Sequence, residues 1–122
     1  MILVDTSVWI DHFRRRDASL VHLLDASLVL CHPFVIGELA CGHMRGRTGI
    51  LDALDNLTAA PVAKHHEVMV FLDRHGLAGR GIGWVDAHLL ASTALAGDAR
   101  LWTRDKRLAS VATDLGMAYA PA

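Results

Sequence analysis

Short apolar segments alternate with helical patterns along this chain, and this alternation constrains the fold more than any other feature. The strand-like segments are residues 1–4, 28–31 and 100–103. Between them, apolar side chains recur at helical spacing, as in the segment that carries Trp9 and Phe13. Apolar strands separated by helices are typical of a parallel sheet that is covered on both faces. The sequence therefore predicts an α/β fold.

Local signals predict the remaining elements. Thr6 or Ser7 is expected to cap the first helix, and a short strand is predicted at residues 60–62. Gly37 lies inside a predicted helix, where glycine costs about 1 kcal/mol relative to alanine, so we expect another segment to approach it closely. The other helices are predicted at residues 19–26, 33–42, 49–57, 64–75, 84–96 and around 108–115.

Length and composition indicate one domain that associates with a partner. A chain of 122 residues buries about two-thirds of its unfolded surface in one core, so we expect a single domain over residues 1–122. The sequence is 52% hydrophobic and 20% charged, with a mean hydropathy of +0.31. Such a composition suggests an apolar surface that an oligomer or a complex covers. The net charge of -1 gives no overall attraction to nucleic acid.

The chain has no signal peptide pattern and no apolar run of about 20 residues that could span a membrane. Cys31 and Cys41 lack the spacing of a metal or redox motif and are expected to be buried free thiols. These features predict a cytoplasmic protein without membrane attachment.

Four carboxylates occupy unusual positions. Asp5 and Asp105 follow strand-like segments, at the sheet edge where ligand sites form in open parallel sheets. Glu38 and Asp86 lie inside apolar helical segments, where a charge is costly. Each has a structural alternative, because aspartates cap helices, acids favour the first helical turn, and a buried glutamate can pair with arginine.

A cluster of these acids needs a cation. Two like charges about 4 Å apart repel by about 4 kcal/mol at an effective dielectric constant near 20. Oxygen-only sites favour Mg²⁺ or Mn²⁺, and such ions support phosphodiester hydrolysis.

Four motifs together resemble the PIN-domain ribonucleases, most closely the VapC-type toxins of bacterial toxin-antitoxin pairs. They are MILVDTSVWI, HPFVIGELACG, GIGWVDAHLLAS and LWTRDKRL, and they span nearly the whole chain in order. The resemblance implies a three-layer α/β/α domain with a central parallel sheet of about four to five strands. It also implies an endoribonuclease that depends on Mg²⁺ or Mn²⁺, cleaves single-stranded regions of RNA and is neutralised by a cognate antitoxin.

The resemblance assigns roles to residues of this chain. Asp5 and Asp86 match the most direct metal ligands, and Glu38 and Asp105 complete the acidic set directly or through water. Thr103 matches the small hydroxyl residue two places before the last aspartate. The family and the apolar composition both suggest a homodimer.

Other residues are candidates for substrate contact. Trp84 lies beside the glycine-dense segment GLAGRGIG, which we expect to form a mobile loop at the site entrance. Arg45, Arg47, Arg104 and Lys106 are candidates for phosphate contacts. The eight histidines form no zinc motif, and the glycines do not match a nucleotide-binding loop.

Two alternatives belong to other functional classes. A receiver-like signalling domain has similar length and acids at strand ends, but it needs an adjacent acidic pair after the first strand, where this chain has Asp5 alone. A non-catalytic binding or oligomerisation protein would use the same acids only as helix caps.

Overall fold

The computed structural model describes residues 1–121. Its strands are β1 (Ile2–Val4), β2 (Val29–Cys31), β3 (Thr58–Ala59) and β4 (Arg100–Trp102). Its helices are α1 (Thr6–Arg14), α2 (Ala18–Asp25), α3 (Pro33–Cys41), α4 (Arg47–Asp55), α5 (His65–Arg74), α6 (Trp84–Ala96) and α7 (Lys106–Asp114).

Within residues 1–121 the strands form one parallel sheet in the order β3-β2-β1-β4. The chain moves outward from β1 to β3 and then returns to place β4 on the other side of β1. The reversal lies between β1 and β4, where Val4 pairs with Trp102. Crevices at such a reversal, beyond the carboxyl ends of the strands, are the usual ligand sites of α/β sheets.

The core confirms the predicted class. The three residues of β1 and of β2 are all buried, as are two of the three in β4, because helices cover both faces of the sheet. Trp9 and Trp102, which are each 3% exposed, belong to this core. The three-layer α/β/α arrangement expected from the sequence is therefore present, with four strands in the described part of the chain.

Two predicted local features are wrong. The third strand is Thr58–Ala59, not residues 60–62, because Pro61 has no N–H group to continue the ladder after Ala60 donates to the Cys31 carbonyl. The cap of α1 is Asp5, not Thr6 or Ser7.

Two further expectations also fail. A methyl group added at Gly37 would meet no atom within 4 Å, so within residues 1–121 no segment approaches this glycine closely. Cys31 is buried as predicted, whereas Cys41 is exposed near the end of α3.

No helix in the described range is long and apolar enough to cross a membrane.

Candidate active site

Asp5 lies at the carboxyl end of β1, where its N–H group donates to the Trp102 carbonyl across the sheet at 2.9 Å. Its side chain is buried, and three donors hold it. The Thr6 N–H group donates to Oδ1 at 2.8 Å, while the Ser7 and Thr103 hydroxyls donate to Oδ2 at 2.9 and 2.6 Å. The aspartate therefore caps α1 and is fixed in orientation by the first turn of α1 and by the residue that follows β4.

Ser7 is the residue that sequence reasoning missed at this site, because it was considered only as a possible cap. Besides donating to Asp5, its Oγ accepts the backbone N–H group of Arg104 at 3.0 Å and lies 3.4 Å from Thr103 Oγ1. The only sequence signal is the spacing of a hydroxyl residue two places after the aspartate. The contact to Arg104 spans 97 residues and has no local signature.

Asp105 stands at the corresponding place after β4. Its Oδ1 accepts the Leu108 N–H group at 2.9 Å, which caps α7, and its own N–H group donates to Thr103 Oγ1 at 3.1 Å. Since the same hydroxyl donates to Asp5, Thr103 connects the two aspartates. Sequence reasoning selected Thr103 by resemblance, and the structure gives it this bridging position.

Glu38 reaches the same edge from α3. The Thr6 hydroxyl donates to Glu38 Oε1 at 2.8 Å, so a residue adjacent to Asp5 holds this carboxylate. Glu38 is exposed and lines a surface groove, unlike the buried Asp5.

Asp86 is half-buried in the first turn of α6, and its Oδ2 accepts the Gly83 N–H group at 3.2 Å. Burial is the largest cause that raises the pKa of this carboxyl group. The Gly83 hydrogen bond opposes the shift, and the negative charges of Asp5, Asp105 and Glu38 add to it. The other three acids are thus close enough to Asp86 to affect its charge.

The donor set fits a hard divalent cation in chemistry, although the side chains do not enclose one. Among residues 1–121, no three histidine, cysteine or acidic side chains stand at metal-binding distances from one another. The cluster supplies carboxylate oxygens, which Mg²⁺ and Mn²⁺ prefer. Burial is the main cause that raises the pKa of Asp86, and the repulsion from the other acids, which adds to it, is what a divalent charge would remove.

The structure assigns two of the candidate phosphate-binding arginines to other contacts. The Arg104 guanidinium forms ion pairs with Asp11, at 2.7 Å, and with Asp17. Arg47 donates twice to the Ala40 carbonyl, at 2.9 and 3.2 Å, near the end of α3. Arg104 therefore ties the loop after β4 to α1 and α2, and its positive charge is already paired.

Aromatic rings line the neighbouring surface. Trp84, which is 39% exposed, lies 5.0 Å from His65 and 4.8 Å from His88 between ring centroids. His88 packs in turn on Phe34 of α3. Because Trp84 and Asp86 are two positions apart on α6, their side chains leave the helix on different sides.

The receiver-like alternative does not agree with the topology. Receiver domains have the flavodoxin-like strand order 2-1-3-4-5, whereas here β1 lies between β2 and β4. Asp55, the acid that could have served as phosphoacceptor, ends helix α4 instead of following a strand.

Comparisons with known proteins agree with the geometry. The sequence profile of the PIN domain matches residues 2–114. The chain is 55% identical over 120 residues to "Ribonuclease VapC32" from Mycobacterium tuberculosis, in both strain CDC 1551 / Oshkosh and strain ATCC 25618 / H37Rv. The alignment covers 98% of this chain and 97% of each relative.

Proposed function

The chain belongs to the PIN-domain family, as a VapC-type ribonuclease of a toxin-antitoxin system, and from this premise we propose that it cleaves single-stranded regions of RNA endonucleolytically with Mg²⁺ or Mn²⁺. One observation carries the metal-dependent part of the proposal. Burial chiefly, and the charges of Asp5, Asp105 and Glu38 in addition, raise the pKa of Asp86, which supports a shared electrostatic environment for the four acids at the carboxyl edge of the sheet.

In this proposal Asp5 and Asp86 are the direct metal ligands, and Glu38 and Asp105 complete the set. A bound divalent cation would neutralise the phosphate and promote attack by water on phosphorus. The three hydrogen bonds to Asp5 keep its carboxylate in one orientation before substrate arrives. Thr103 acts through Asp5 and Asp105, whose positions it couples.

Glu38 and Asp105 are suited to contact the attacking water. Each uses one carboxylate oxygen for a hydrogen bond within the protein, Glu38 with Thr6 and Asp105 with Leu108. Among residues 1–121 no protein donor contacts the other oxygen of either carboxylate, which is thus able to accept a hydrogen bond from water. A carboxylate in that position would orient the nucleophile and take up its proton.

The test is cleavage of a mixed pool of structured RNAs by the purified, partner-free protein with Mg²⁺, Mn²⁺ or EDTA. We expect discrete cuts that require the metal and disappear in Asp5→Asn and Asp86→Asn. Asn keeps a capping oxygen at both positions while it removes the charge. Asp73→Asn, on exposed α5, is the matched control and should cleave normally. Cuts that persist in EDTA or in Asp86→Asn would contradict the proposed mechanism.

We place the cognate antitoxin on an apolar groove of about 450 Å³ whose lining residues come mainly from α1, α3 and α4. Ile10, Phe13, Leu39 and Ile50 contribute apolar surface, and Glu38 lines the same groove. A partner segment in the groove would therefore lie against a residue of the carboxylate cluster. Ile10→Glu should leave RNA cleavage intact and reduce inhibition by the antitoxin. Val62→Glu, at another exposed apolar position, should leave both cleavage and inhibition unchanged.

We assign the homodimer interface to a second groove, of about 390 Å³, between α5 and α6. Val70 and Leu95 are exposed there at 39% and 50%. Glu67 and Arg74 line the groove two helical turns apart on α5, so a second copy running antiparallel would oppose unlike charges. Val70→Asp should give a monomer in light scattering, and an unchanged mass would contradict the assignment.

A further inference from the structure

Arg107 lies directly against Gly81 in the loop that precedes α6. Gly81 has a φ of +81°, and a methyl group added there would stand 2.7 Å from Arg107 Cδ and 3.2 Å from Nε and Nη1. A side chain at position 81 would therefore require the Arg107 side chain to move away. The glycine backbone therefore forms a surface on which the arginine side chain packs.

The loop is attached to α7 at two points. Arg107 belongs to the first turn of α7, and Asp114, at the end of the helix, pairs with Arg80 at 2.7 Å. The segment GLAGRGIG was expected to be mobile at the site entrance. Arg80 and Gly81 of this segment contact α7, while its mobility stays a prediction.

The contact joins the two segments that present Asp86 and Asp105. Gly81 stands two residues before Gly83, whose N–H group binds Asp86. Arg107 stands two residues after Asp105, the cap of α7. The Arg107 side chain thus links the loop before Asp86 to the helix that Asp105 caps.

The charge of Arg107 is unpaired, in contrast to those of Arg80 and Arg104. Within the described residues its guanidinium forms no salt bridge and donates no hydrogen bond, although Asp105 is close in sequence. A long, solvated arginine is common on protein surfaces. The packing against Gly81 distinguishes Arg107, because the side chain has a packing partner but, within the described residues, no ion-pair partner.

We propose that Arg107 is a substrate-positioning residue that contacts an RNA backbone phosphate flanking the one that is cleaved, and that Gly81 holds its side chain in place for this contact. This inference rests on the proposed ribonuclease function. Within the described residues Arg107 forms no ion pair with Asp86 or Asp105, so the acids do not neutralise its charge. The contact therefore supports binding of RNA and leaves the chemical step to the acids.

The first test compares Arg107→Gln and Arg107→Lys with the wild type. We expect Gln to raise KM about 10-fold with kcat changed less than about 3-fold, since a charge-assisted contact made equally before and during reaction affects binding alone. Lys should keep much of the affinity. Binding of a fluorescein-labelled oligouridylate is then measured at several salt concentrations in the Asp5→Asn background without metal. The slope of log K against log salt concentration should become about 0.7 less steep in Arg107→Gln and stay unchanged in Arg107→Lys.

The second test separates the Gly81 contact from backbone strain. Gly81→Ala and Gly79→Ala both place a side chain where φ is positive, at +81° and +78°, but a methyl group at Gly79 meets nothing within 4 Å. Only Gly81→Ala should raise KM as Arg107→Gln does. The double variant with Gly81→Ala and Arg107→Gln should have the same KM as Arg107→Gln alone, because both changes remove the same contact.

The outcomes separate this inference from the function on which it rests. A folded wild-type protein that cuts no RNA with either metal would refute the ribonuclease proposal, whereas the oligouridylate measurement would still test Arg107. A cleaving wild type with an unchanged KM and salt slope in Arg107→Gln would overturn the inference. So would a loss confined to kcat. Equal defects in the two glycine variants would overturn the role of Gly81.

Discussion

Replacing Thr103 with valine tests the link between the hydrogen bonds around Asp5 and the stability of the fold. Valine has nearly the same shape as threonine but lacks the hydroxyl. The change removes the 2.6 Å bond to Asp5 and leaves the Asp105 N–H group without its acceptor at 3.1 Å. Asp5 is 7% exposed, so water can replace the lost donor only in part.

The magnitude follows from the charge and burial of Asp5. Loss of a hydrogen bond to an ionised group costs about 1.5–3 kcal/mol of the free energy of unfolding. Unfolding entropy is about 2.1 cal/mol/K per residue, or about 0.26 kcal/mol/K for 122 residues. We therefore expect Thr103→Val to lower the melting temperature by about 6–12 °C.

The assay is thermal unfolding followed by circular dichroism in EDTA at neutral pH, together with RNA cleavage in Mg²⁺. The cleavage rate should fall about 10- to 100-fold, which is typical when a partner that orients a metal ligand is lost. Thr103→Ser retains the hydroxyl and is the matched control, with melting within about 4 °C of the wild type since one methyl group is worth about 0.8 kcal/mol. If Thr103→Val melted at the temperature of the wild type and Thr103→Ser melted well below it, the methyl group and not the hydroxyl would stabilise this site.

Three further changes test charges elsewhere in the molecule. Burial and the neighbouring acids raise the pKa of Asp86, so the metal-free fold loses stability as the pH rises through that pKa. Asp86→Asn should therefore have a higher melting temperature than the wild type in EDTA, and Mg²⁺ should not raise it further. Burial, followed by the nearby His88, lowers the pKa of His32 to about 4, from 6.5. The fold should thus lose about 2 kcal/mol of stability between pH 7 and pH 5, as measured by urea unfolding, and His32→Asn should remove most of this loss. Arg104→Gln should cost about 1 kcal/mol in the same assay, because its two ion pairs are at the surface.

The sequence predicts the central strands of the sheet because burial imposes a strong pattern on them. Strands β1, β2 and β4 lie within predicted segments, since a parallel strand covered on both faces must be apolar throughout. Strand β3 has only two residues, both exposed at the edge of the sheet. An edge strand of this kind carries no apolar signal. The prediction therefore fell on residues 60–62, where Pro61 prevents the strand from continuing.

The candidate site is predictable in its acids but not in the contacts that orient them. Asp5 and Asp105 are recognisable because each follows a buried strand, and Glu38 because it interrupts an apolar helix. The partners of Arg104 lie 93 and 87 residues away along the chain, so no local pattern indicates that its charge is paired. The packing of Arg107 on Gly81 likewise depends on how a loop meets α7, which only the tertiary structure specifies.

The structural alternative for the acids, helix capping, turns out to be compatible with a metal site. Parallel strands bring the first turns of α1, α6 and α7 to one edge, so Asp5, Asp86 and Asp105 converge because each binds an N–H group at the start of its own helix. Those bonds prevent the carboxylates from rotating apart to relieve their repulsion. Alanine at Asp5 would relieve repulsion but would also remove the cap of α1, so we expect it to destabilise the fold. Asparagine is therefore the substitution that separates the two roles, since a stable but inactive Asp5→Asn protein would show that the charge serves catalysis while the cap serves folding.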